Sequence, residues 1–143
     1  MDIDYTYIKK VLSEIKDAQE PYADSKKLYM KYLDVGDGSN KEFIFHWHLI
    51  VENGLVSTNK GAVHDLKSSG LVASPQDPMK FMLVCPPIRL TSSGIEFLSS
   101  LEEPRVLNVI IDTFKGEGFS AIIDISKQLG MKILNKKLEG LDF

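Results

Sequence analysis

The chain has 143 residues, a formal charge of -3 with acidic and basic side chains mixed throughout, and one cysteine, Cys85. That is the size of a single domain, with no general attraction to nucleic acid or an anionic membrane, no intrachain disulfide and no cysteine-built zinc site. Asp2 and Asp4 stand where a secretory signal would be basic, and no apolar run approaches the roughly 18 residues that span a bilayer, so a cytoplasmic protein outside any membrane is expected.

From Asp4 to Asp17 the apolar residues Tyr5, Ile8, Val11, Leu12 and Ile15 recur at helical steps, with Lys9, Lys10, Glu14 and Lys16 on the opposite face. Asp4 caps this helix and Pro21 breaks the chain after it. A short second helix is expected over 24–33, capped by Asp24 or Ser25, with Leu28, Tyr29, Tyr32 and Leu33 apolar. The run Asp34-Val-Gly-Asp-Gly-Ser-Asn40 is a turn-rich connection, and Ser39 or Asn40 is expected to cap the next helix.

That third helix carries the most apolar run of the first half, Phe43-Ile-Phe-His-Trp-His-Leu-Ile-Val51. Gly54 closes it, and Leu55 and Val56 start a strand. From Val56 to Ile88 no period holds. Gly70-Leu-Val-Ala-Ser74 echoes Gly54-Leu-Val-Ser57, too briefly to count as a repeat. Lys80–Cys85 reads as a buried strand ended by Pro86-Pro87, with Cys85 packed as a small hydrophobe, and Ile88-Arg-Leu90 as one more short strand.

Thr91 opens a further helix, with Ser93 and Glu96 as an alternative capping pair and Ile95, Leu98 and Leu101 as its buried side. Pro104 starts another, with the stripe Leu107, Ile110, Ile111 and Phe114, ended by Gly116 and Gly118. Ser120 is expected to cap a last helix to about Leu138, with Ile122, Ile125, Leu129 and Ile133 in line and Leu134 and Leu138 widening the stripe.

A helix ending in Gly-Leu-Val that runs straight into a strand is what a winged helix-turn-helix needs before its wing. The residues also carry a resemblance. His46-Trp-His-Leu-Ile-Val-Glu-Asn-Gly-Leu-Val56, followed by Arg89-Leu-Thr-Ser-Ser-Gly-Ile-Glu-Phe-Leu98, resembles an uncharacterised bacterial and prophage family of winged-helix domains. Phe45, His46, Glu52, Gly54, Leu55, Arg89, Leu90, Thr91, Gly94, Glu96, Phe97 and Leu98 stand at matching places. Ile95 replaces the usual His, and the wing from Ser57 to Pro87 is longer than usual. The resemblance implies a winged-helix fold and a DNA-linked or phage-linked setting, with no established activity.

The expected fold is therefore α+β, mainly α: a winged helix-turn-helix over 1–101 with a wing over about 55–90, then a C-terminal helical extension over 102–143 that packs on the core or forms a dimer interface. In such a fold the third helix offers one face to the major groove. With Phe43, Trp47 and Ile50 inward, the set left over is Ile44, Phe45, His48, Val51 and Glu52, which is too apolar to read bases and calls for a cover. Residues 1–54 hold seven basic and ten acidic side chains, whereas 55–90 hold Lys60, Lys67, Lys80 and Arg89 against Asp65 and Asp77. The basic excess thus lies in the wing, where lysines either meet phosphates or simply face water.

His46 and His48 point to different faces of one helix and His64 lies in another element, so no metal is expected; His46 reads as a partly buried structural residue. Ser92-Ser93-Gly94 reads as capping and Gly36-Asp-Gly38 as a turn, so neither a nucleophile nor a phosphate loop is expected. The sequence thus reads as a non-catalytic, DNA-associated regulatory or phage-related protein without cofactors, a homodimer that meets double-stranded DNA through Lys41, His48, Lys60, Lys67 and Lys80. The alternative is a protein-interaction module that uses Ile44, Phe45, Val51, Leu107, Ile110, Phe114 and Ile133 as its interface.

Overall fold

The structure, a computed structural model, describes residues 1–33 and 36–142; Asp34 and Val35 of the expected connection lie outside the described residues. It is α+β and mainly helical. The chain forms two compact units, Met1–Ile95 and Glu96–Phe143, dividing inside a helix rather than after it. No helix among the described residues is long and apolar enough to cross a membrane.

In the first unit the order is α1 (Tyr5–Lys16), β1 (Ala23–Asp24), α2 (Ser25–Leu33), α3 (Ser39–Glu52), β2 (Val56–Thr58), β3 (Gly61–Ala62), β4 (Leu71–Ala73), β5 (Phe81–Leu83) and β6 (Pro87–Leu90), followed by the start of α4 (Ser92–Glu102). The strands form an antiparallel sheet ordered β1-β6-β2-β3 and a separate β4-β5 pair. Val56 faces Leu90, and Thr58 faces Ile88, so the chain leaves α3 and returns to α4 as neighbouring strands.

Each helix start follows from a local donor problem. The Asp4 carboxylate accepts from the Tyr7 N–H at 3.0 Å, and the Asp24 carboxylate from those of Lys26 and Lys27. At α3, neither Ser39 nor Asn40 caps: Gly38 takes that position with φ +84°, and the Asp37 carboxylate accepts from the Ser39 N–H. The connection turns one residue sooner than expected because a glycine there takes the left-handed backbone that the tight entry requires.

The core of this unit is aromatic. Phe43 stacks between Tyr32 and Trp47, at centroid distances of 4.7 and 5.4 Å, and Tyr29 meets Phe43 and Trp47 edge-on. These are the offset and edge contacts that ring quadrupoles favour. Ile8, Val11, Leu12, Ile50, Leu55, Val56 and Ile88 are buried with them.

The exit from α3 is a double carbonyl trap. Gly54, at φ +67°, lets its own N–H reach the Val51 carbonyl and the Leu55 N–H reach that of Ile50. The Leu55 carbonyl then accepts from the Thr91 N–H at 3.0 Å, and the Thr91 hydroxyl donates to the Gly54 carbonyl at 2.6 Å while accepting from the Gly94 N–H at 3.1 Å. Thr91 is thus both the cap of α4 and the clasp that holds it to the end of α3. Gly94 must lack a side chain, since a Cβ there would sit 2.1 Å from the Leu55 carbonyl oxygen.

The echo at Gly70 is more than chance. Gly70 has φ +97°, its N–H reaches the Lys67 carbonyl, and the Leu71 N–H reaches that of Leu66, so the stop after Gly54 is repeated between β3 and β4. The run Lys80–Cys85 is not a buried strand. Only Phe81–Leu83 pair, with β4, and Met82, Val84 and Cys85 are exposed. A two-stranded ribbon has one inner face at most, so alternation sends Met82 and Val84 outward whatever their apolarity.

The second unit holds the rest of α4, α5 (Pro104–Thr113) and α6 (Phe119–Glu139). Pro104 starts α5 as expected. Three expectations are corrected here. Phe97, not Ile95, joins Leu98 and Leu101 on the buried side of α4, and Phe97 meets Phe119 edge-on at 5.6 Å. On α5 the buried residues are Val106 and Ile110, whereas Ile111 is exposed and Leu107 and Phe114 are half-buried, a rotation of the apolar stripe by about one residue position. α5 ends at Thr113, before the glycines, and α6 begins at Phe119 with Gly118 at its cap, so Ser120 is not the cap. The buried line of α6 is Phe119, Ile122 and Ser126, with Ile125, Leu129 and Ile133 half-buried beside it.

Two predictions follow from this packing. Gly94→Ala should destabilise the fold by roughly 1–3 kcal/mol in urea unfolding, because it overpacks backbone; Gly116→Ala, with open space around it, should stay within about 0.5 kcal/mol of the wild type. Equal effects would refute the clasp. Burial of the phenol raises the Tyr29 pKa from 10.0 to about 12. The folded state therefore holds this proton more tightly than the unfolded chain does. Its contribution to stability is complete below pH 10.0 and is lost as pH rises through about 12. Urea midpoints measured along that alkaline range should fall together with the phenolate absorbance rise.

Candidate nucleic-acid interface

Helix α3 is apolar nearly all round, and the chain buries it accordingly. Phe43, Ile44, His46, Trp47, Ile50 and Val51 are buried, so Ile44 and Val51 offer no surface to a partner. Phe45 and Leu49 are half-buried. What remains in water is one line, Lys41, His48 and Glu52. Along it the His48 imidazole Nδ1 lies 3.6 Å from the Glu52 carboxylate, one turn on. An exposed line with a single lysine, and an acid beside its histidine, is poor equipment for base edges.

His46 is structural. Its Nε2 accepts from the Asp4 N–H at 2.9 Å, and its Nδ1 lies 2.7 Å from the Glu42 carbonyl. A backbone N–H can only donate and a carbonyl can only accept, so the ring is neutral with its proton on Nδ1. This joins the start of α1 to the first turn of α3, beneath the Tyr7 ring at 4.7 Å.

The segment between β2 and β6 gathers the other polar groups. An open cleft of about 520 Å³ is lined by Thr58, Lys60, Ala62, His64, Asp65, Lys67, Ser68, Gly70, Val84 and Pro86. Its geometry descends from Ser69, which is fully buried. The Ser69 hydroxyl donates to the Leu66 carbonyl and accepts from the Trp47 indole N–H at 3.2 Å, while the Ser69 carbonyl accepts from the Tyr29 hydroxyl. The turn over 65–70 is therefore bonded to the aromatic core. Gly70 brings Val84 against it, and a Cβ at that position would meet the Val84 carbonyl at 1.7 Å.

Asp65 is the cleft's one carboxylate; it stays exposed and is engaged by its own turn. It accepts from the Ser68 hydroxyl at 2.6 Å and the Ser68 N–H at 2.7 Å. Those two bonds, the hydroxyl's first, hold its pKa below the usual range. Lys60 and Lys67 are exposed at the rim, as is His64, whose Nε2 lies 3.8 Å from the other Asp65 oxygen. Two cations against one engaged carboxylate give the cleft a positive balance.

Of the five sequence-based contacts, the structure brings Lys60 and Lys67 to one cleft. Lys41 and His48 share the exposed line of α3, and Lys80 lies apart, just before β5. Among the interface residues, Ile110 is buried, and Leu107, Phe114 and Ile133 are half-buried. Sequence reasoning missed His64, Asp65, Ser68 and Ser69. The Asp65-x-x-Ser68 spacing followed by Gly70 was the available signal, since that order builds a capped turn. Among the described residues no group of three or more His, Cys, Asp or Glu is placed to hold a metal ion.

No family model, curated protein or solved structure matches this chain.

The His46 geometry sets a spectroscopic expectation. Long-range nitrogen–proton NMR spectra should show the neutral ring with Nδ1 protonated, and an Nε2–H tautomer would contradict it. His46→Ala, which strands the Asp4 N–H, should cost roughly 1–3 kcal/mol in unfolding experiments.

Proposed function

We propose that the first unit is a winged helix and that the protein is a non-catalytic, DNA-associated regulatory or phage-related protein, touching double-stranded DNA with its wing rather than reading bases with α3. The order of elements supports the fold: helix, short strand, two helices, then two long-separated strands that pair with each other, the second of them also pairing with the first strand, β1-β6-β2. The cleft that collects Lys60, His64 and Lys67 carries the functional reading. Two lysines on one rim suit phosphate oxygens, which position a protein on a duplex without reporting sequence. The exposed line of α3, with Lys41 and His48 beside Glu52, supports the same division of labour.

Titratable groups support binding over catalysis. The strongly raised ones are core tyrosines: burial, first of all, pushes up Tyr7, Tyr29 and Tyr32. Of the lowered ones, Asp37 and Asp65 are held by the turns that they cap, and Glu103 by the Arg105 guanidinium two residues on. Neither set is arranged as an acid and base around one point.

A protein-interaction role is the second reading, favoured by Met82 at 65% and Val84 at 52% exposure on the β4-β5 ribbon.

Fluorescence anisotropy with a random-sequence duplex at graded salt separates the two. The wild type should bind with similar affinity to unrelated sequences. Lys60→Ala and Lys67→Ala should each reduce the slope of log K against log salt by about 0.9, the loss of one phosphate contact. His48→Ala should leave the slope unchanged. No binding at low salt would exclude the DNA reading and leave the interaction reading standing.

A further inference from the structure

The last turns of α6 carry an apolar line that the chain leaves in water. Met131, Leu134, Leu138 and Leu141 are 48, 46, 53 and 55% exposed. Steps of three, four and three residues put them on one side of the helix. Leu141 lies just past the C-cap Gly140, but its N–H still donates to the Leu138 carbonyl, so the line continues through the cap.

The second unit itself explains why this line is bare. α5 has 10 residues and α6 has 21, so α6 continues for about 16 Å beyond what its hairpin neighbour spans, at about 1.5 Å per residue. Ser100 of α4 comes within 3.3 Å of where a Cβ on Gly130 would sit. The exposed line begins at the next residue.

We propose that this line is a two-fold seam to a second copy of the chain, with the two α6 helices parallel. With Met131 and Leu138 at the first core position of a seven-residue repeat and Leu134 and Leu141 at the second, the seam contains no charge. The flanking positions on one side are Gly130 and Lys137, and on the other Asn135 and Asp142. In a parallel pair each flank faces the opposite flank of the other helix, five residues on. Lys137 of each copy then meets Asp142 of the other, and Gly130 meets Asn135. The charges are complementary at both ends of the two-fold, and no like charges face each other. An anionic lipid surface is a poorer match, since Lys132, Lys136 and Lys137 are nearly balanced by Glu139 and Asp142.

The seam is short, so the dimer is reversible and concentration-dependent. Sedimentation of the full chain without nucleic acid tests it independently of any DNA binding. The wild type should pass from one-chain to two-chain mass as concentration rises. The double variant Leu134→Glu/Leu138→Glu should remain monomeric with an unchanged circular dichroism spectrum, since both leucines are exposed in the single chain. Asp142→Lys should weaken the dimer about two- to fivefold, and adding Lys137→Glu should restore it. In a Cys85→Ser background, Leu141→Cys should give a disulfide-linked dimer on mild oxidation, which only the parallel order permits. A wild type that stays monomeric at millimolar concentration would overturn the proposal, as would a Leu134→Glu/Leu138→Glu variant that dimerises as well as the wild type.

Discussion

The first unit depends on the close approach of two backbone segments far apart in sequence, Gly54-Leu55 and Thr91–Gly94. The Leu55 carbonyl accepts from the Thr91 N–H, the Thr91 hydroxyl donates to the Gly54 carbonyl, and a glycine at 94 leaves room for the contact. Carbonyls at a helix end need donors, and N–H groups at a helix start need acceptors. Here one end satisfies the other. The β2-β6 pairing and the placement of the segment between them follow, because both strands must leave and return at this clasp.

The segment between β2 and β6 is anchored by a second arrangement of the same kind. Gly70 repeats the turn made by Gly54, and Ser69 before it is bonded to Trp47 and Tyr29 of the aromatic core. A stretch without any period can still have a defined shape when one buried serine and one left-handed glycine tie it to rigid neighbours. Lys60 and Lys67 owe their common cleft to that anchor, being seven residues apart in a chain segment that would otherwise have no reason to fold back. A segment fastened in this way brings cationic side chains to a rigid rim, the arrangement from which a phosphate contact is proposed.

Much of the fold was legible. The helices announced themselves through periodicity, and the caps at Asp4, Asp24 and Thr91 and the first-turn Pro104 lie where the residue types direct. The matching residues Gly54, Leu55, Thr91 and Gly94 acquire a physical reason, since all four belong to the clasp. Where the reading failed, the cause was a three-dimensional one. Phe81–Cys85 is as apolar as a core strand, yet its ribbon has no second layer to bury Met82 and Val84. The stripe of α5 was misassigned because Val106 and Leu107 are equally apolar, and only packing chooses between adjacent positions on a helix. Of the candidate site, the lysines of the wing were legible as a charge excess, but their convergence with His64 was not.

By itself the sequence determined the succession of helices, the stop at Gly54, the clasp residues and the excess of positive charge over 55–90, because each rests on short-range geometry or on composition. The tertiary structure alone decided which apolar residues are covered. It buried Ile44 and Val51 in the chain, left Leu134 and Leu138 bare, and joined Lys60 to Lys67. Burial depends on what lies opposite a side chain, and that neighbour is set by contacts between residues distant in sequence, which no local pattern encodes.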